Sequence, residues 1–325
     1  MFRNLIASAL KPQAYKPVRL DRSVTIGMAA HGSAAISSRA LDHLFSSVRG
    51  DYELILVDDA SPDDTLKVFR DAKRSHDNVR IFSFSKNLEY CESVNSILSH
   101  AAGEFVFFVS NDVFVTPAYL RELIATLRAN AGCGIARGCA NFVDGHAQPH
   151  NLLNRHYQFE SKSELFEFAE ALAKINRHRV ATEDPYLTGD AFAVARRTID
   201  RIGGFDTRFI GYFGDVDYGL RSRGAGLMPM VNARAFAYHN SDANMTYLDS
   251  AERDKKVQRR FTRVRAAYQE FLAKYPVDVS GFPGDSGALD QNEFLHVVAQ
   301  AKSMLQAGRV QTHVPLKDYS EYLVT

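Results

Sequence analysis

Two runs of apolar β-formers, Glu53-Leu-Ile-Leu-Val57 and Phe105-Val-Phe-Phe-Val109, each stop abruptly at side chains able to bind charge. Asp58-Asp59 follows the first and Ser110-Asn111-Asp112 the second. Strand-like segments are also expected at 24–28 and 80–84, with the two runs occupying 53–57 and 104–109. Helical patterns fall between them: Val94, Ile97, Leu98 and Ala101 recur at i, i+3, i+4, i+7, as do Leu120, Leu123, Ile124 and Leu127. Thr116 and Pro117 supply an N-cap and a first helical residue for the latter. This alternation is the rhythm of βαβ units and a largely parallel sheet. In such sheets, ligands gather beyond the carboxyl ends of the strands.

A third acidic station lies further on, where Gly203-Gly204-Phe205-Asp206 is followed by Gly214-Asp215-Val216-Asp217. It comes after a strand-like stretch, Ala191–Ala195, and a short helical pattern over 196–202. Upstream, Ser161-x-x-Glu164 forms a possible capping box for a helix carrying Leu165, Phe168, Leu172 and Ile175. Asp184-Pro185 is expected to close this helical insertion at about 145–185. Val257, Phe261, Val264, Tyr268 and Phe271 predict a long helix, and a Gly/Pro-rich break at 281–288 precedes another near 290–306.

Thirty-nine basic and 38 acidic side chains leave a net charge of +1, which argues against a dedicated nucleic-acid binder. Cys91, Cys133 and Cys139 are too few and too scattered for a disulfide framework or a zinc knuckle. No apolar run approaches the roughly 20 residues of a membrane span, so a cytoplasmic protein is expected. Residues 1–22 form a basic arm with a partly apolar face from Phe2, Leu5, Ile6 and Leu10, which allows peripheral contact with an anionic membrane surface.

Each station has a chemistry. A carboxylate beyond the 53–57 strand can accept a hydrogen bond from a uracil or thymine ring N–H, although an acidic helix cap would use the same residues. A carboxylate beyond the 104–109 strand suits a hard divalent cation that shares its ligands with phosphates. Asp215 and Asp217, two apart at a helix start, allow one to face a cleft while the other caps or binds a hydroxyl. His239 follows the apolar run 235–238, where a structural role is the ordinary one.

Over about residues 23–240, this set of motifs resembles glycosyltransferase family 2. The Asp58-Asp59 pair, Ser110-x-Asp112 at the place of an Asp-x-Asp metal motif, Asn87-Leu-Glu-Tyr90 through Asn95, and Gly-Gly-Phe-Asp followed by Asp215-x-Asp217 carry the resemblance. It implies a GT-A type fold: a mixed, mostly parallel sheet flanked by helices, with the helical insertion and a helical C-terminal region over 241–325. It also implies transfer of one sugar, with inversion, from a nucleotide-diphosphate sugar (UDP- or dTDP-linked) to a glycan, lipid-linked or other hydroxyl acceptor in polysaccharide or glycoconjugate synthesis.

By the same resemblance, Asp59 reads the base, and Ala29, His31, Asn95, Asn111 and Gly189 line the nucleotide sugar. Asp112 and His239 hold Mn or Mg, Asp215 is the base, and Asp217 and Gly204 meet the acceptor. Three positions depart from the family pattern: Ser110 at the first metal acid, Glu89 at a glycine, and Ala29-Ala30-His31 at the first strand end. The absence of Trp removes the signature of processive members. Two rivals stay open, a nucleotidyltransferase, which lacks its phosphate loop and lysine here, and a sugar-nucleotide or glycan-binding module of the same fold without turnover.

Overall fold

The computed structural model describes residues 15–143, 151–153, 157–240, 250–282 and 290–324. Most of the basic arm and most of the Gly/Pro-rich break therefore lie outside the described residues. β2 (Val24–Ala30), β4 (Glu53–Asp58), β5 (Val79–Ser83) and β6 (Phe105–Ser110) pair in parallel in the order β5-β4-β2-β6. β10 (Ala191–Ala195) runs antiparallel between β6 and β8 (Cys133–Ala140). β11 (Met228–His239) lies parallel to β8, and β7 (Val113–Phe114) closes the edge antiparallel to β11. Short β9 (Thr182–Glu183) pairs with β11, while β1 (Val18–Leu20) and β3 (Val48–Gly50) form a separate ribbon.

Both faces of the sheet are buried, and the strand alternation sorts side chains between them. Leu54 and Leu56, Phe105, Phe107 and Val109 enter one core, with α1 (Ala34–Ser47), α2 (Thr65–Ser75), α4 (Pro117–Ala129) and α5 (Lys162–Ile175) packed over it. Ile55 and Val57, Val106 and Phe108 enter the other. That face carries α3 (Glu89–His100), α6 (Arg196–Ile202), α7 (Gly214–Gly224), α8 (Ser250–Lys274) and α9 (Gln291–Gln306). Phe271, Tyr275, Val297 and Leu305 from the last two helices share one cluster with Phe205 and Phe213, so the C-terminal helices complete the core beneath the third acidic station. Each such side chain contributes about 1.5–3 kcal/mol by burial.

Local signals account for the helix starts. The Thr116 hydroxyl accepts from the Tyr119 N–H, with Pro117 at the first position of α4. Ser161 accepts from the Glu164 N–H, but the Glu164 carboxylate reaches back to the N–H of Glu160 rather than that of Ser161, so the capping box closes one residue early. The insertion departs from expectation at its end: α5 stops at Ile175, and the chain returns to the sheet through β9 before Asp184-Pro185. All three cysteines are free and buried.

Candidate active site

The register brings the acidic stations to one edge of the sheet. Ala30 pairs with Asp58, and Ala29 with both Val57 and Ser110, so the ends of β2, β4 and β6 are level. β10 runs the other way, with Ala191 opposite Val109, so its entry residues Gly189 and Asp190 arrive at the same edge. β11 ends there too, at His239. The turn after Asp112 folds back as β7, pairing Val113 with His239, and the Asn240 N–H donates to the Asp112 carbonyl.

This turn explains the closest pairing of candidate ligands. His239 Nε2 lies 3.5 Å from Asp112 Oδ2, and its Nδ1 is 3.0 Å from the Phe142 carbonyl. Asn141 clamps the His239 backbone from both sides, donating to its carbonyl at 3.0 Å and accepting from its N–H at 2.7 Å. Burial alone would lower the imidazole pKa. The Asp112 carboxylate and its hydrogen bond, with Asp190 and the Phe142 carbonyl, outweigh it and push the value up to about 9.

Asp59 is 4% exposed and accepts the backbone N–H groups of Leu88 at 2.6 Å and Glu89 at 3.0 Å. Burial raises its pKa, against the pull of those hydrogen bonds. The carboxylate thus fixes the start of α3, and base recognition would draw on its remaining lone pairs. His31 is exposed beside it, with Nδ1 2.7 Å from the Asp59 carbonyl, and Ala29 is half-buried between the strand ends.

Asp215 stands at the start of α7. Its Oδ2 accepts from the Gly189 N–H at 2.7 Å and its Oδ1 from the Val216 N–H at 2.9 Å. Burial drives its pKa up to about 6, against those two N–H donors, and the charge of Asp190 adds to the rise. The Tyr90 hydroxyl donates to the Gly189 carbonyl at 2.8 Å. A Cβ at Gly189 would stand 2.2 Å from that hydroxyl and 3.0 Å from the Asp215 Cβ, so only glycine fits between them.

The four non-glycine residues with positive φ among those described are Ser33, Ala60, Glu89 and Phe213. Each lies within two residues of His31, Asp59, Tyr90 or Asp215. Such conformations cost about 1–3 kcal/mol each and concentrate where a site over-determines the backbone.

Three expected contacts need correction. Asp217 is 0% exposed and its carboxylate is taken by Arg221 Nε at 2.7 Å, Lys274 Nζ at 2.6 Å and the Tyr275 hydroxyl at 2.7 Å. It is an anchor for α8, because α7 turns Asp217 inward while Asp215 faces the cleft. Gly204 is buried, and a Cβ there would meet Asn95 Oδ1 at 2.4 Å and Leu316 Cδ2 at 2.6 Å, which leaves no acceptor surface. Asn95 is 3% exposed and brackets Phe205, donating to its carbonyl at 2.9 Å and accepting from its N–H at 2.6 Å. It holds the Gly-Gly-Phe-Asp turn and not a nucleotide. Asn111 directs its amide to the Gly32 carbonyl and the Ser37 hydroxyl, shaping the turn beside His31.

Three further side chains support these residues. Arg137 is 1% exposed within β8 and pairs with Asp190 at 3.1 Å; a charge inside an apolar strand was its available signal. Tyr90 acts through Gly189. Arg263 of α8 reaches Glu89 Oε2 at 2.5 Å, so the side chain replacing the family's glycine turns to a C-terminal helix.

A mixed sheet with its candidate site residues at one edge and helices on both faces defines the GT-A architecture. The mannosyltransferase PcManGT of Pyrobaculum calidifontis, solved with GDP-Man and Mn2+, superposes with a TM-score of 0.52 at 16% identity, covering 95% of this chain and 92% of its own. The glucosyl-3-phosphoglycerate synthase of Mycobacterium tuberculosis, solved with Mn2+, UDP and glucosyl-3-phosphoglycerate, gives 0.51 at 17% identity over 80% and 82%. At these identities the likeness is one of fold.

In sequence, the chain is similar to a candidate glycosyltransferase of Mycobacterium tuberculosis (strain CDC 1551 / Oshkosh), 33% identical over 89 residues. That stretch is 27% of this chain and spans only 26% of the relative. The profile of glycosyl transferase family 2 matches residues 25–203, more than half of the chain. The protein belongs to that family. No helix among the described residues is long and apolar enough to cross a membrane.

Proposed function

We propose that the protein transfers one sugar, with inversion, from a UDP- or dTDP-linked donor to an acceptor hydroxyl, assisted by Mn or Mg. The observation that carries this reading is the pair formed by Asp112 and His239. A carboxylate and an imidazole nitrogen stand 3.5 Å apart, and the other ring nitrogen faces a backbone carbonyl, the arrangement that orients a metal-binding histidine. Among the described residues, no cluster of three or more His, Cys, Asp or Glu side chains forms a metal site, so donor oxygens and water would complete the shell. When bound, such an ion neutralises charge building on the leaving diphosphate.

The chain's own residues supply the rest. Ala29, His31 and Asp59 receive the base at the ends of β2 and β4, and the Gly189 N–H holds the Asp215 carboxylate in place. Asp215 takes the acceptor hydroxyl's proton as that oxygen bonds to the anomeric carbon. The bond from this carbon to the diphosphate oxygen breaks on the opposite side, and its electron pair leaves with the nucleotide. A carboxyl pKa near 6 gives a base that is ionised at neutral pH yet stronger than an ordinary aspartate. Arg137 holds Asp190 beside it. The acceptor would be a glycan or lipid-linked hydroxyl in polysaccharide or glycoconjugate synthesis.

Isothermal titration of UDP and dTDP with and without Mn2+ tests the reading. Asp112→Ala should abolish the metal-dependent part of the affinity and His239→Ala should weaken it less. Unchanged metal-dependent affinity in Asp112→Ala would exclude Asp112 as a ligand.

A further inference from the structure

The stretch that follows α9 joins the Gly-Gly-Phe-Asp turn to the connection between β5 and α3. Val314 pairs in parallel with Gly203: its carbonyl accepts from the Gly204 N–H at 2.8 Å, and its N–H donates to the Ile202 carbonyl at 2.9 Å. Gly203 has φ of +69°, and a Cβ there would collide with the Val314 carbonyl oxygen, so this approach needs glycine. The Thr312 carbonyl accepts from Arg221 Nη1 at 3.0 Å. Further on, Leu323 pairs antiparallel with Phe84, just past the tip of β5. The Val324 N–H donates to the Ser83 carbonyl and the Ser85 N–H to the Tyr322 carbonyl, each at 2.8 Å.

Between these two seams lies Tyr319, buried while its neighbours on both sides are exposed. Its hydroxyl donates to Glu92 Oε2 at 2.6 Å, and Lys317 pairs with the other oxygen of that carboxylate. Burial and the hydrogen bond to Glu92 push the phenol pKa up, so the hydroxyl keeps its proton and stays the donor. The ring stacks on Phe84 with centroids 5.9 Å apart. Glu92 stands in the first turn of α3, just beyond Leu88 and Glu89, whose N–H groups hold the Asp59 carboxylate. One side chain therefore fastens both ends of the segment that carries those two donors, at Phe84 and at Glu92. The segment needs an anchor, because Glu89 has φ of +72°, a conformation that persists only where the surroundings over-determine it.

We propose that Tyr319 and Glu92 are positioning residues for nucleotide recognition: by fixing the first turn of α3 they set the Leu88 and Glu89 N–H groups that aim Asp59 at the base. The inference rests on Asp59 being the base-reading carboxylate. A hydrogen bond from a phenol to a carboxylate is charge-assisted and directional, which suits it to holding a strained turn in one place. Both residues act through the backbone of 88–89. Their loss is felt at the base end of the site and not at the Asp112–His239 pair, which belongs to the ends of β6 and β11.

The test is calorimetric titration of the full chain with UDP, with and without Mn2+, comparing the parent with Tyr319→Phe, which keeps the ring, and Glu92→Gln, which keeps the shape. UDP affinity should fall in both variants by about fivefold, what one hydrogen bond of ordinary strength is worth. The ratio of affinities with and without Mn2+ should stay at the parent value, because the metal end is untouched. Parent-like UDP affinity in both variants overturns the positioning role and leaves the donor reading standing. A changed Mn2+ ratio also overturns it, since the substitutions would then loosen the whole site. A parent that binds neither UDP nor dTDP overturns the donor reading and takes the positioning role with it. Hydrogen exchange of the unliganded chain gives a second measurement: the Leu88 and Glu89 amides should exchange faster in Tyr319→Phe than in the parent. Unchanged exchange there overturns the route through the backbone.

Discussion

On the strand side of the cleft, Ala29, Asp59 and Asp112 stand within three residues of the parallel strands that place them, and backbone pairing alone brings them level. On the helical side, Asp215 keeps its position because Asp217, two residues on, is locked to Lys274 at the end of α8 and to Tyr275 just after it. One wall is local and built from the hydrogen-bonded ladder. The other depends on a buried ion cluster whose members are far apart in the chain, and removing one member leaves charge buried without a partner. A catalytic carboxylate and a structural one can therefore be near neighbours and respond to substitution in opposite ways.

That contrast is sharpest in the two aspartates. Asp215→Asn should lower kcat/KM by about 10²–10⁴-fold with only a modest fall in the urea midpoint, since the amide oxygen keeps one of the two N–H contacts that the carboxylate accepts. Turnover near the parent's would move the base to Asp190. Asp217→Ala should instead cost about 3–5 kcal/mol of stability, because Arg221 and Lys274 lose a carboxylate in a fully buried setting. Chemical denaturation checks this; a parent-like stability would mean that the helical wall is held by packing alone.

A smaller effect separates the walls by pH. Burial raises the Asp215 carboxyl to about 6, so the ionised base is lost as pH falls through that value. The acid limb of kcat/KM should drop about tenfold per pH unit below it, and a limb near 4 would place the base in a more solvated site. The smallest change is expected at the seam between the walls. Glu89→Gly relieves the left-handed strain but removes a partly exposed ion pair with Arg263 and adds freedom to the unfolded chain, so its stability should stay within about 1 kcal/mol of the parent. A loss well above that, in thermal unfolding, would show that the Arg263 contact holds α8 to α3.

The two walls also differ in how far the sequence discloses them. The strand side was legible because an apolar run followed by a carboxylate is a local pattern, and β2, β4, β5 and β6 fall within one or two residues of their expected bounds. The helices that follow Thr116 and Ser161 were legible from their caps. Motif spacing could not tell which of Asp215 and Asp217 faces the cleft, because both precede similar neighbours and only the docking of Tyr275 turns one inward. Asn95 and Gly204 were misread for the same reason: Asn95 binds the turn that contains Gly204, at Phe205 110 residues on, and a motif residue that binds its own fold looks in sequence like one that binds a ligand. The cations of α8 were legible as a basic face, but the partner of Arg263 was not, because Glu89 lies 174 residues away in the chain.

The cluster around Asp217 has a consequence for the order in which the molecule is made. Fifty-eight residues separate Asp217 from Tyr275. At synthesis rates of about 5–20 residues per second, the ribosome needs roughly 3–12 s to add them. During that interval the sheet and its strand-end carboxylates can already be in place, while Asp217 and Arg221 wait with their charges in water. Asp215, the proposed base, is anchored in place only when α8 arrives, so a nascent chain with its strand-end carboxylates assembled would still lack the helical wall.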